Sequence, residues 1–323
     1  MPAPLTVTRE SIQSGPTHTT IKDVGVIIPT LDAATDWPDL IRGLRSQFID
    51  PSQVFVVDSA STDNTASLAR NAGFTVIPIQ RCEFDHGHTR QMAASKIEFP
   101  ILLFMTQDAV LTAPDSINKL VEAFNDPLVG CAYGRQLPRA AAGPIEKHAR
   151  YFNYPENSSI VALHSRETIG MKAFFISNSF AAYRREALLD VGGFPSDIIF
   201  GEDAYVAARM LLAGYKKVYV ADATVVHSHD LSLREEAKRY FDIGVFHSRE
   251  SWLLKNFGQA TGEGKKFVLS EIKMLLRMKP YLLPYSLLRT TTKLLSYKLG
   301  QRESALSPAL KRRLSLNRSY WSR

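Results

Sequence analysis

A chain of 323 residues, 45% hydrophobic and 22% charged, has room for one large domain or two modest ones, and its composition is that of an ordinary soluble globular protein. It contains no run of about 18 uninterrupted apolar residues, which argues against a transmembrane helix, and its two distant cysteines, Cys82 and Cys131, support neither a disulfide framework nor a zinc site. The net charge of +7 is unevenly spread: residues 265–323 hold 14 Lys/Arg against 2 Asp/Glu, a net of +12, which leaves −5 for residues 1–264. A basic tail on an acidic body implies an anionic partner, with a membrane surface and nucleic acid as the two candidates.

Residues 1–20 are polar and lack the apolar core of a secretory signal, so they are expected to form a flexible arm. The apolar run 24–28 predicts a first strand, closed by Pro29 and Thr30. Residues 36–48 have helical spacing, with Leu40, Ile41, Leu44 and Phe48 on one face. Residues 54–57 predict a second strand ending on Asp58, and a helix follows over 65–72. Strands over 74–79 and 101–105 bracket a helix over 89–97; a helix over 116–124 and a strand over 129–133 come next. This alternation predicts a mostly parallel sheet with helices on both faces. Residues 139–171 read as a long irregular segment, 174–183 as β-like, and 184–191 and 203–213 as helices. Two short strands over 217–220 and 223–226 lead into His227, and beyond Leu233 the pattern is helical, broken at Pro280 and Pro284.

Carboxylates recur where strands end. Asp108 closes the buried run Ile101-Leu-Leu-Phe-Met-Thr-Gln107, at the strand end where open α/β sheets bind ligands. It reads either as a metal ligand facing an anionic substrate or as a helix cap. Asp58 reads as an acceptor for the N3–H of a pyrimidine base or as part of a turn. Residues Asp85-His-Gly-His-Thr-Arg90 precede a helix; glycine and a helix N-terminus suit an anion, and Arg90 offers a bidentate contact to a base or phosphate. An exposed polar loop is the bland alternative. Gly201-Glu-Asp203 opens a helix, where acids are favoured by the dipole; Asp203 also qualifies as a general base with apolar neighbours to raise its pKa. His227 and His229, just past a strand, have the ligand chemistry to complement a lone Asp108 at a divalent metal.

Together the motifs Ile27-Ile-Pro-Thr-Leu31, Val57-Asp-Ser-Ala-Ser-Thr-Asp63, Thr106-Gln-Asp-Ala109 and Gly201-Glu-Asp203 resemble family 2 glycosyltransferases of the GT-A fold over roughly residues 22–250. Residues Phe84-Asp-His-Gly-His-Thr-Arg90 and Asn178-Ser-Phe-Ala-Ala-Tyr-Arg184 are similar to its bacterial rhamnosyltransferase branch, which builds O-antigen and related surface polysaccharides. The resemblance implies a GT-A catalytic domain over 21–250 with a helical C-terminal region over 251–323, a dTDP-L-rhamnose donor, an inverting mechanism and a cytoplasmic site peripheral to the inner face of the cell membrane. It implies that Pro29, Thr30, Asp58, Arg90, Gln107 and Asp108 bind the nucleotide sugar. Asp203 is then the base, with Glu202 orienting the acceptor, and Asp108 with His227 or His229 holds Mn²⁺ or Mg²⁺. Two departures stand out: Thr106 replaces the first acid of the family's DXD motif, and His88 stands where a second glycine is common. A family 2 transferase using another donor such as a UDP-hexose, or a non-catalytic scaffold homologue, is the alternative reading; the intact Glu202-Asp203 argues against the second.

The tail 265–299 mixes apolar residues with Lys273, Arg277 and Lys279 in an amphipathic pattern suited to an anionic membrane. Tyr281, Tyr285, Tyr297 and Trp321 are expected at headgroup level. Membrane is favoured over nucleic acid because the acceptors of the resembling branch are lipid-linked.

Overall fold

The apolar run at the start of the chain forms a strand buried on both faces, and the rest of the fold is assembled around it. A computed structural model describes residues 18–229, 231–258 and 262–322; the expected arm lies largely outside them. In chain order the elements are β1 (Val24–Thr30), α1 (Trp37–Ser46), β2 (Val54–Asp58), α2 (Thr65–Asn71), β3 (Thr75–Pro78), α3 (His86–Lys96), β4 (Ile101–Met105), β5 (Val110–Leu111), α4 (Ser116–Val121) and β6 (Val129–Leu137). Then follow α5 (Pro144–Asn153), β7 (Ser159–Val161), α6 (Arg166–Ile169), β8 (Phe180–Arg184), α7 (Arg185–Asp190), α8 (Glu202–Leu212) and β9 (Lys216–Val226). The C-terminal third is helical: α9 (Leu233–Arg249), α10 (Ser251–Phe257), α11 (Glu263–Met278), α12 (Leu283–Gln301) and α13 (Pro308–Leu314).

One nine-stranded sheet runs β3-β2-β1-β4-β8-β6-β9-β5, with β7 also paired to β9. The first four strands are parallel, as the alternation predicts. From β4 onward the sheet is mixed: β8 is antiparallel to both β4 and β6, and β6 is parallel to β9. Because side chains alternate across a strand, Ile27 faces a core with Phe104, Tyr183 and Phe194, while Val26 and Ile28 face a second core with Trp37, Leu40 and Leu103. Both faces of β1 are therefore covered, which is why the run is apolar throughout rather than alternating.

Three segments differ from the sequence expectation. The helix expected from Thr89 begins at His86, with the Asp85 carboxylate accepting from the Gly87 (3.1 Å) and His88 (2.9 Å) N–H groups. Gly87 is a packing glycine, since a Cβ there would lie 1.8 Å from the Pro195 carbonyl oxygen. Residues 144–153, read as irregular, are the helix α5; His148 and Phe152 stack edge-on against Phe267 of α11, so tertiary contact rather than a local apolar stripe stabilises it. The two short strands over 217–226 are one strand, β9, carried past an irregularity in its pairing with β6.

Helices α9 and α12 cross with glycine against backbone. A Cβ on Gly244 would lie 2.2 Å from the Tyr297 carbonyl oxygen, and one on Gly300 2.1 Å from that of Phe241. Buried Glu236 of α9 pairs with Arg289 and, at 3.1 Å, with Lys293 of α12. No described helix is long and apolar enough to cross a membrane.

Candidate active site

Polar side chains gather at the C-terminal ends of β1, β2 and β4. Thr30 and Asp58 are register partners across β1 and β2, and both are buried. The Asp58 carboxylate accepts from the Ser61 hydroxyl (2.5 Å) and N–H (3.2 Å), so it organises the turn that the bland reading expects. Pro29 lies within β1 beside Val57. Gln107 differs from its expected role of donor contact: its amide accepts from the Leu31 N–H (2.8 Å) and donates to the Leu31 carbonyl (3.2 Å). It clamps the segment after β1, because a primary amide can pair with both polar groups of one peptide residue.

Asp108, His227 and His229 converge although more than 100 residues separate them. Their candidate ligand atoms all lie within 4.8 Å of one another. Nε2 of His227 stands 3.4 Å from one Asp108 oxygen and Nε2 of His229 3.5 Å from the other. β9 ends at Val226, and the chain beyond it presents both rings to Asp108, 4.7 Å apart and nearly perpendicular. Gln136 of β6 sets the tautomer. Its Oε1 accepts from Arg150 Nη1 (2.6 Å) and lies 3.0 Å from His227 Nδ1. An oxygen already fixed by a guanidinium can only accept, so Nδ1 carries the proton and the Nε2 lone pair faces Asp108. Burial works against ionising Asp108, but His227 and His229, which in the imidazolium form face it with Nε2–H donors and positive charge, outweigh burial and hold its carboxyl below the usual range. An anionic carboxylate, two imidazole nitrogens and an orienting amide behind one of them fit a divalent transition metal. Arg150 and Arg239 add positive potential at this cluster, both acting on His229.

The second cluster is built on α8. Gly201 precedes it with φ +76°, a left-handed conformation natural to glycine; a Cβ there would also press on the Phe246 ring at 3.0 Å. Glu202 and Asp203, adjacent in sequence, meet opposite environments. Glu202 is buried, its carboxylate 3.0 Å from Arg90 Nη1 and accepting from Asn178 Nδ2 (3.2 Å). Burial disfavours its charge, but Arg90 and His86 more than compensate and keep it ionised. Asp203 accepts from the Asn178 (3.1 Å) and Ala204 (2.7 Å) N–H groups. Burial and then the Glu202 charge push it up to about 7. A proton acceptor poised near neutrality is what general-base chemistry requires. Arg90, expected at the nucleotide, is instead a buried partner of Glu202 and donates to the His86 carbonyl (3.0 Å).

Sequence reasoning missed Gln136, Arg150, Asn178 as a carboxylate anchor, and the pairing of Arg90 with Glu202. Each depends on elements apart in sequence coming together; Gln136 and Arg150 lie in no local motif, and the motifs that hold Arg90 and Asn178 do not name their partners.

The family model described as "Glycosyl transferase family 2" matches residues 25–192. The chain is 43% identical over 301 residues to the O-antigen chain rhamnosyltransferase RfbN of Salmonella typhimurium, covering 93% of this chain and 96% of the relative. It is 42% identical over 299 residues to the O-antigen chain rhamnosyltransferase WbaN of Salmonella anatum, covering 92% and 95%. Among solved structures its fold is similar to that of the mannosyltransferase PcManGT from Pyrobaculum calidifontis, determined with GDP-Man and Mn²⁺, at a TM-score of 0.56 and 21% identity over 95% of this chain and 86% of that one. The fold is thus that of a GT-A-type sugar transferase. The chain belongs to glycosyl transferase family 2 and is a glycosyltransferase, an enzyme that joins a sugar from a nucleotide donor to a glycan acceptor.

Proposed function

We propose that this enzyme transfers L-rhamnose, with inversion, from dTDP-L-rhamnose to a hydroxyl of a lipid-linked glycan during O-antigen-type polysaccharide synthesis. The observation that carries the sugar assignment is the 43% identity to an O-antigen chain rhamnosyltransferase across nearly the whole of both chains. Asp203 takes the proton from the acceptor hydroxyl as its oxygen attacks the anomeric carbon. Glu202, held anionic by Arg90, raises the proton affinity of Asp203 and fixes the start of α8. Asp58 and Thr30 line the nucleoside end of the site. Asp108, His227 and His229 would hold Mn²⁺ or Mg²⁺, which would supply charge neutralisation for the departing diphosphate. Arg150 and Arg239 add fixed positive charge on the same side, and such preorganised charge is where transferases gain most.

The tail supports an anionic membrane as a partner. Leu276, Met278, Tyr281, Leu288 and Leu295 are more than half exposed on α11, α12 and the turn between them, among Arg277, Lys279 and Lys298. Tyr297 and Trp321 are not part of that face. Tyr297 turns its hydroxyl to His247 Nδ1 (3.0 Å), and Trp321 packs beneath Arg249 and Lys311.

The test is nucleotide release and sugar transfer measured with dTDP-L-rhamnose, UDP-glucose and GDP-mannose, each with Mn²⁺ and with chelator. Turnover of dTDP-L-rhamnose that chelation abolishes is expected. Preference for a UDP-hexose contradicts the donor assignment, and full activity under chelation contradicts the metal site.

A further inference from the structure

The hollow between α9, α12 and α13 lies apart from both clusters of the active site. It encloses about 450 Å³, within the usual size of small-molecule sites. Its walls are of two kinds. Arg234 and Lys238 from α9 and Arg313 from α13 supply charge, and Phe241, Leu299 and Leu314 supply an apolar floor. Arg234, Lys238 and Phe241 fall at i, i+4 and i+7 of one helix, so they share a face.

Neighbouring basic groups are matched to buried acids: Arg289 and Lys293 to Glu236, and Arg249 and Lys311 to Glu303. Among the described residues Arg234, Lys238 and Arg313 form no ion pair, and nor does Arg318, whose charge also reaches Lys238. The acids nearby, Asp242 and Glu235, act on Lys238 without forming an ion pair with it. Asp242 accepts from the Leu316 (3.0 Å) and Asn317 (3.4 Å) N–H groups, and Glu235 closes the capping box with Ser232. Burial and the like charges of Arg318 and Arg234 disfavour the charge on Lys238. Three cations around an apolar floor have an anion with a hydrocarbon part as the complementary ligand, and arginines give it paired donors.

We propose that this hollow binds a phosphate ester carrying an apolar chain. Two sources share that chemistry: a membrane phospholipid, and the prenyl diphosphate of the acceptor. The inference rests on the lipid-linked reading for its biological source, but not for its physical case. α9 also carries Arg239, whose guanidinium stacks on Phe200, next to Gly201, so one helix joins the hollow to the catalytic segment.

The experiment is calorimetric titration of the full-length protein in chelator, which keeps diphosphate off the metal cluster. The probes are dihexanoyl phosphatidic acid and farnesyl diphosphate, with octyl glucoside as the uncharged control. The variant is Arg234→Gln/Lys238→Gln/Arg313→Gln, with circular dichroism to establish that it is folded. Binding of a phosphate probe that weakens roughly 10-fold or more in the variant, with no such change for octyl glucoside, supports the site. Tighter phosphatidic acid assigns it to the bilayer, and tighter farnesyl diphosphate to the acceptor. Absent phosphate binding, or binding unchanged in the variant, overturns it. Transfer of rhamnose to a water-soluble saccharide, measured in parallel, keeps the two questions apart: its absence in the wild type defeats the proposed function while leaving the titration intact.

Discussion

Glu202 and Asp203 are neighbours in sequence with opposite proton affinities: burial and the Glu202 charge raise Asp203, while Arg90 and His86 hold Glu202 low. The Arg90–Glu202 pair is buried on both sides, and breaking such a pair from one end leaves an uncompensated charge. Arg90→Met is therefore expected to cost about 3–5 kcal/mol in chemical denaturation, with part of the loss recovered in the double variant Arg90→Met/Glu202→Gln. No recovery contradicts the pairing. Glu202→Gln alone removes a charge that raises Asp203, so it moves the acidic limb of the kcat profile to lower pH; an unmoved limb contradicts the coupling. The raised Asp203 also has a sign in stability. The folded state binds this proton more tightly than the unfolded state does. The contribution of Asp203 is thus fully present below about pH 4, near its unfolded pKa, and is lost as pH rises toward about 7. Asp203→Asn should gain in Tm relative to wild type between those values, and a difference independent of pH contradicts the shift.

At the scale of elements, the parallel strands β1, β2 and β4 were legible because each is an uninterrupted apolar run ending in a polar residue. Asp108 and Asp203 stood out as candidates for the same local reason: acids at a strand end and a helix start. The antiparallel insertion of β8 was not, since its apolar residues permit either direction and its partner is chosen by the sheet. α5 escaped because its partners, buried Gln136 and half-buried Phe267, come from β6 and α11. The role of Arg90 was misplaced because a charged residue near a helix start looks the same whether it faces a phosphate or a buried acid. The crossing of α9 and α12 gives the element-scale prediction. Gly300→Leu places a side chain where a single Cβ already falls 2.1 Å from the Phe241 carbonyl oxygen. Overpacking of this kind costs roughly 1–3 kcal/mol, so Tm should fall and the tail should become protease-sensitive. Wild-type Tm in that variant contradicts the close crossing.

The whole molecule divides its charge as it divides its work. The body is net negative and carries the catalytic clusters, while residues 265–323 carry +12 beside exposed leucines of α11 and α12. Each basic residue at an anionic surface contributes about 1 kcal/mol. Sedimentation with phosphatidylglycerol vesicles is thus expected, with weakening at high salt, and phosphatidylcholine vesicles should bind much less. Equal binding to both contradicts an electrostatic role for the tail. Nine-tenths of the chain aligns with each of two O-antigen rhamnosyltransferases, so the likeness takes in the tail as well as the body.

Asp203 is the residue on which the proposed chemistry turns, and its replacement is the most direct test. The measurement is rhamnosyl transfer from dTDP-L-rhamnose by Asp203→Asn, alongside titration of dTDP into the same protein. The account predicts transfer reduced by roughly 10²–10⁴-fold with nucleotide affinity retained. Transfer at the wild-type rate would remove Asp203 from the role of base and with it the proposed division of labour between the two carboxylates.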